Sequence, residues 1–192
     1  MNSEALGWLS LVIGIIGYIP YFWTIFTGKT KPHTFTWFIW GLITAIAYFA
    51  QQIGGAGPGA WSTVLNAITA FLISFFALFK GEKQITRSDW FTFIAALLII
   101  PVWYLTQNPL WAVILVVIID LFGFYPTFRK SWYKPYEELA FCYTCGTFQF
   151  LIAMLALENF NWITALYPAT IAITDAIFVA MILWRRKLPN RS

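Results

Sequence analysis

Charge is scarce in this chain. Only 10% of its 192 residues are Asp, Glu, Lys or Arg, against about 25% in a soluble globular domain, which excludes an ordinary soluble fold. Disorder is excluded as well, because 60% of the residues are hydrophobic and 20% aromatic, and disordered segments are poor in both. Two cysteines are too few for a disulfide framework. The opening residues MNSEALGW carry an acid and no Lys or Arg, so the basic start of a cleaved signal peptide is missing. Alternating strands of roughly 10 residues, which a membrane β-barrel requires, are missing too. What remains is a set of long apolar runs with a mean hydropathy of +0.71. The chain reads as an all-α integral membrane protein with several spans.

A membrane-spanning helix needs about 20 apolar residues. Runs bounded by Gly, Pro, Asn and charges fall at 6–27, 34–52, 60–79, 89–106, 110–129, 137–157 and 162–184, seven in all. Backbone polar groups in hydrocarbon must bond within their own segment, so each run is expected to be a helix. The twelve Lys and Arg residues then all fall on one side. Lys29 and Lys31 follow the first run; Lys80, Lys83 and Arg87 the third; Arg129, Lys130 and Lys134 the fifth; Arg185, Arg186, Lys187 and Arg191 the seventh. Basic residues favour the cytoplasmic face, which puts the amino terminus outside and the carboxyl terminus in the cytosol. A bacterial cytoplasmic membrane is the expected location. The net charge of +4 follows from this placement, and nucleic acid is not an expected partner.

The first and fifth runs share a pattern. Gly17-Tyr18-Ile19-Pro20-Tyr21-Phe22 matches Gly123-Phe124-Tyr125-Pro126-Thr127-Phe128, 106 positions on, and each is followed by a basic loop with a second proline, Pro32 or Pro135. The third and seventh runs match 101 positions apart, aligning Trp61, Thr63, Thr69 and Ser74 with Trp162, Thr164, Thr170 and Asp175. Repeats of this kind mark two half-bundles around a shared pathway. Three helices end reversed, so one further helix must intervene for the second copy to run parallel to the first. The expected organisation is therefore 3+1+3: residues 1–80 as the first repeat, 81–108 as a linker helix, and 109–192 as the second repeat with a basic tail.

This layout, the outside amino terminus and the proline-bearing first helix before a basic loop resemble the PQ-loop/SWEET transporter superfamily. Tyr21 and Thr127 stand where the signature has Gln after Pro. The resemblance covers nearly the whole chain as architecture and implies a carrier working by alternating access. It also implies hinge roles for four prolines near the cytoplasmic helix ends, for which Pro20, Pro32, Pro126 and Pro135 are the matching positions. An Asn on the third helix of a repeat contacts substrate in such carriers, which points to Asn66; the second copy has Tyr167 at that place.

Asp120 and Asp175 are the acids deep inside the runs, and no Lys, Arg or His lies in a run interior to pair with them. At about 1.5 Å per residue, they sit roughly 15 and 20 Å from the outer ends of their helices, near the middle of a core about 30 Å thick. Acids at that depth are functional candidates by default, here for proton coupling or cation binding; a packing hydrogen bond is the plainer alternative. Asp175 ends a polar stripe of Thr164, Tyr167 and Thr170, and Thr63, Asn66, Thr69 and Ser74 form its counterpart. Each stripe covers one helix face and is expected to face protein or water. Trp37, Trp40 and Trp103 lie deep enough to stack a ring-bearing solute. Gly7, Gly14 and Gly17 read as a close-packing surface. Cys142 and Cys145 read as packing residues, and GGAGPG (54–59) as a turn. His33 has no second ligand near it, so no metal or cofactor is expected.

The expected function is carriage of a small neutral or cationic polar solute, such as a sugar, nucleoside, vitamin or amino-acid-like molecule. Substrate contacts are expected from Trp37, Trp40, Asn66, Tyr167 and Thr170, and proton coupling from Asp120 and Asp175. A non-transporting receptor or sensor on the same scaffold, as the KDEL receptors are, is the alternative. An enzyme is not expected: neither acid has the Tyr-Asp or Gly-x-Gly-Asp context of intramembrane aspartyl proteases, and the seventh run lacks a retinal-binding Lys. The partners are then a small molecule and the lipid bilayer. One chain suffices for a pathway, and a homo-oligomer is left open.

Overall fold

The computed structural model describes residues 2–29, 32, 34–81, 87–133, 135–136 and 138–187, with the backbone alone at 88, 89, 92, 125, 126, 129 and 130. His33 and the basic residues Lys31, Lys83, Lys134 and Arg191 lie outside the described residues. Every regular element among the described residues is helical. The α-helices are α1 Ser3–Phe26, α2 Thr34–Ile53, α3 Trp61–Lys80, α4 Arg87–Thr106, α5 Pro109–Tyr133, α6 Ala140–Leu155 and α7 Trp162–Lys187, with a short 3-10 helix, Gly57–Ala60, leading into α3. Ser3–Phe26, Thr34–Ile53, Gly57–Lys80 and Trp162–Lys187 are long and apolar enough to cross a membrane, whereas the apolar stretches of the other three helices are shorter. α5 runs four residues past its expected end, to Tyr133, and α6 is shorter than expected at both ends. It starts at Ala140, after a turn through Pro135 and Tyr136, and stops at Leu155, where the chain turns away through 156–161.

Asparagine sets several helix starts. Asn2 accepts from Ala5 N (2.9 Å) ahead of α1, Asn108 from Leu110 N (2.9 Å) at α5, and Asn161 from Ile163 N (2.9 Å) and Thr164 N (3.2 Å) at α7. Each side chain satisfies donors that the first turn cannot pair internally. Pro109 follows Asn108 at the first helical position, where its missing N–H is no loss.

The other end of the molecule carries Lys29, Lys80, Arg87 and Arg185–Lys187 and is called here the basic end. Two of these side chains staple helix ends. Lys80 at the end of α3 donates to Phe26 O at the end of α1 (3.1 Å), with its ammonium 5.8 Å from the Phe26 ring centre. Arg185 on α7 donates to Trp132 O on α5 (2.8 Å) and lies 5.1 Å over the Trp132 ring. A cation on the last carbonyls of a helix meets the negative end of its dipole, and the ring face adds a second attraction.

Packing runs along a definite pattern. α3 packs against both α1 and α2, and α7 against both α5 and α6; across the molecule α1 packs on α6 and α2 on α5, while α4 rests on α5 and α2. The main core draws Ile39, Ile43 and Ala47 from α2, Ala96 and Ile99 from α4, Val113 and Val116 from α5, Phe150 from α6 and Tyr167 from α7. A smaller core of Phe124, Phe178 and Ile182 joins α5 to α7. Where α1 meets α6, glycine sets the spacing, in agreement with the sequence reading of Gly14 and Gly17. A Cβ at Gly17 would come within 2.7 Å of the Cys145 Cβ, and one at Gly14 would strike the Gln149 amide.

Gly17→Leu should therefore destabilise the fold by about 1–3 kcal/mol through overpacking. Ile16→Leu, at a side chain 46% exposed, should stay within about 0.5 kcal/mol. Thermal unfolding of the two purified variants checks the contrast.

Candidate functional site

The two interior acids come together between the helix groups. Asp120 on α5 and Asp175 on α7 are both half-buried and lie within electrostatic reach of each other. The buried Tyr167 hydroxyl, on α7, is within reach of both. Tyr18 of α1 and Tyr143 of α6 are within reach of Asp175. Asp175 occupies this place because α6 has a glycine beside it: Gly146 leaves the space that the carboxylate Oδ2 fills, and a Cβ there would overlap it.

Tyr167 is fixed from the opposite group, its hydroxyl 3.1 Å from Thr44 Oγ1 on α2. Trp40, one turn before Thr44, points its indole Nε1 at Gly123 on α5, 3.2 Å from where a Cβ would stand. It also packs against Phe124 and Phe178. Trp37 lies edge-on to Trp40, with centroids 5.2 Å apart, and is tilted against Tyr21 at 5.3 Å. Trp103, on α4, packs against the main core. The site thus has two carboxyls, tyrosine hydroxyls and an aromatic wall leading toward the basic end. Carboxylates beside ring faces favour cations, while rings with hydroxyls suit a neutral polar ring.

Both polar stripes face the interior, as the sequence pattern implied: Thr63, Thr69, Ser74, Thr164 and Tyr167 are buried. Their members are not all brought to the acids. The Asn66 Oδ1 accepts from Gln149 Nε2 of α6 at 3.3 Å, and Ser74 donates to Thr34 O within its own group at 2.9 Å. Thr170 donates to Leu166 O one turn back in α7, at 2.8 Å. Cys142 donates to Gly17 O of α1 at 3.0 Å, a packing contact of the kind expected. Of the four prolines, Pro20 lies inside α1, whereas Pro32 and Pro135 stand outside the helices, buried in the connections. Pro126 is within α5, and its side chain lies outside the described residues.

Sequence reading missed the glutamines. Gln51 is fully buried and donates to Thr164 O at 2.9 Å; Gln149 is 1% exposed. Each is an uncharged amide in an otherwise apolar run, and polar residues at membrane depth are a signal by themselves. The search for acids and hydroxyl stripes passed over them. No family model, curated protein or solved structure matches the chain.

The Thr44–Tyr167 contact gives a direct test. Tyr167→Phe and Thr44→Val should each destabilise the protein, and the double variant by less than the sum. The expected coupling is about 0.5–1.5 kcal/mol, read from thermal unfolding of the four forms.

Proposed function

We propose that this protein is a membrane carrier that moves a small neutral or cationic polar solute by alternating access between two three-helix repeats joined by α4. The convergence of Asp120, Asp175 and Tyr167 between the two helix groups carries this reading. The packing pattern supports the repeat: α3 and α7 hold the same place in their groups, and the contacts α1–α6 and α2–α5 are equivalent under exchange of the groups. Asn66 and Tyr167, 101 positions apart in the aligned helices, each bond the second helix of the opposite group. Lys80 and Arg185 staple equivalent helix ends. The basic end faces the cytosol, since it holds the Lys and Arg residues, and the site then lies near the middle of the bilayer.

Trp40 and Tyr167 are the expected substrate neighbours, with Trp37 behind Trp40. Asn66 holds Gln149 in this conformation and becomes available only when the groups part. Pro20 and Pro126 lie within α1 and α5 toward the basic end and serve as hinges, because a helix-interior proline removes one backbone hydrogen bond and weakens the helix there. Asp120 and Asp175 are placed to take up a proton or a cation with the solute. This is the arrangement that PQ-loop/SWEET-like architecture implies.

The test begins with purified protein and a thermal-shift screen across sugars, nucleosides, vitamins and amino acids. A true ligand raises the unfolding temperature in proportion to its saturation. In proteoliposomes that ligand should cross the membrane, faster with an imposed pH gradient. Asp120→Asn and Asp175→Asn should each remove that acceleration. Uptake indifferent to the gradient and unaffected by both substitutions would refute coupling, and binding without flux would make the protein a receptor or sensor.

A further inference from the structure

The connections remote from the basic end are bonded to each other. Asn159 Nδ2 donates to Gly55 O (3.2 Å), Asn161 Nδ2 to Gly54 O (3.1 Å), and Glu158 N to Ala56 O (3.2 Å). One turn deeper, Gln51 on α2 donates to Thr164 O on α7 (2.9 Å). The donors and acceptors come from opposite helix groups in every case: residues 51–56 run from the last turn of α2 into the α2–α3 connection, and 158–164 from the α6–α7 connection into the first turn of α7.

Glycine makes this contact close. Gly54 abuts Ile163 and Thr164, Gly55 abuts Asn159, Gly57 abuts Glu158, and Gly59 abuts Leu157, each so near that an added Cβ would lie 2.5–2.9 Å from a neighbouring atom. Gly55 and Gly57 also have φ of +77° and +57°, which side-chain-bearing residues seldom adopt. Ala56 and Ala60 are fully buried beneath. The GGAGPG segment is thus more than a turn: its absent side chains and exposed carbonyls form the receiving half of an interface. Toward the basic end the bonds from Lys80, Ser74 and Arg185, and that from Arg186 to Glu138 O (2.8 Å), stay within one group, and the weak thiol bond from Cys142 to Gly17 O joins the two.

From this we infer that residues 54–59 and 157–161, with Gln51 beneath them, form a seal that closes the central site toward the face opposite the basic loops and that must part for access from that side. The inference rests on the two-group carrier reading. The bonds are few, neutral and made to backbone carbonyls that water can satisfy when exposed. Gln51 Oε1 and Thr63 Oγ1 are buried at this end without a hydrogen-bond partner among the described residues, as Thr34 Oγ1 and Ser131 Oγ are at the basic end, and opening here would hydrate the first two.

The experiment uses the full chain with Cys142→Ser and Cys145→Ala, so that introduced cysteines report alone. Gly55→Cys with Asn159→Cys should form a disulfide on mild oxidation in membranes, because an ideal Cβ at Gly55 stands 3.7 Å from the Asn159 Cβ, close to the roughly 3.8 Å of real disulfides. Separately, Thr44→Cys reports access to the centre. A membrane-impermeant maleimide added from the face opposite the basic loops should label it slowly. Adding Asn159→Ala, Asn161→Ala and Gln51→Ala should raise that rate roughly tenfold or more, the shift expected from losing several net hydrogen bonds. The oxidised disulfide form should lower it below the starting rate, and reduction should restore it. Failure of the disulfide to form, or a labelling rate that neither the alanines nor the disulfide moves, would overturn the seal. Labelling needs no solute, so a seal that behaves as described in a protein that carries nothing would leave this inference standing and defeat the transport reading instead.

Discussion

An apolar bundle accepts a buried polar side chain only where that side chain finds a partner on another helix, and in this chain glycine decides where the partner is in reach. α1 comes near enough to α6 for Gln149 to lie across Gly14 and bond Asn66 on α3. α6 leaves room at Gly146 for the Asp175 carboxylate, and α5 leaves room at Gly123 for the Trp40 indole. With side chains at these positions, α1 would be displaced from α6, the acid would lose its place and the indole would have to shift by a few tenths of an ångström. The interior polar residues depend on this spacing more than on any one of their own bonds, since a single interhelical hydrogen bond in such bundles is worth only about 0.6–2 kcal/mol.

Much of this could be read from the residues. Helix positions followed from apolar length and from the Pro, Gly and Asn that bound each run, and all seven expected runs correspond to helices among the described residues. The boundary at α6 could not be read, because its ends are set by tertiary contacts of the flanking turns and hydropathy does not see them. The interior faces of α3 and α7 were legible because Thr, Ser and Tyr recur there at helical spacing. Partner choice was not. Asn66 has the chemistry to hold a solute, but whether it meets solute or Gln149 depends on a helix 83 positions away. GGAGPG was legible as a turn, yet the reason for so many glycines lies in the opposite connection, whose side chains press on it.

The two ends of the molecule use different chemistry for related tasks. At the basic end, cations tie helix ends within a group: Lys80 to α1, Arg185 to α5. Each tie combines a charge-assisted hydrogen bond with a ring contact, so each group is held firmly to itself. Toward the opposite end the bonds of the facing connections run between groups, and their side-chain donors are neutral amides. In hydrogen bonding the ties within a group are then the charged ones and those between groups the neutral ones, as the proposed rigid-body motion of two units needs, although the packing of α1 on α6 is itself extensive.

The sizes of these terms bear on whether such a motion is within reach. Among the described residues four neutral hydrogen bonds join the far connections, and three more, Thr44–Tyr167, Asn66–Gln149 and Cys142–Gly17, join the groups elsewhere. At about 0.5–1.5 kcal/mol net for each, breaking all seven costs roughly 4–10 kcal/mol before any replacement by water. Hydration of the exposed loop groups returns part of this. A solute that binds one arrangement of the groups more tightly than the other can shift an equilibrium only by that difference in affinity, and about 5.5 kcal/mol already inverts a population from 1:99 to 99:1. For the proposed carrier, hydrogen bonds of this total strength would hold one arrangement in the absence of solute and still lie within the range that a difference in solute affinity can tip. A charged network in the same place would have failed this condition, because separating its members inside a low-dielectric bundle would cost more than a small solute could supply.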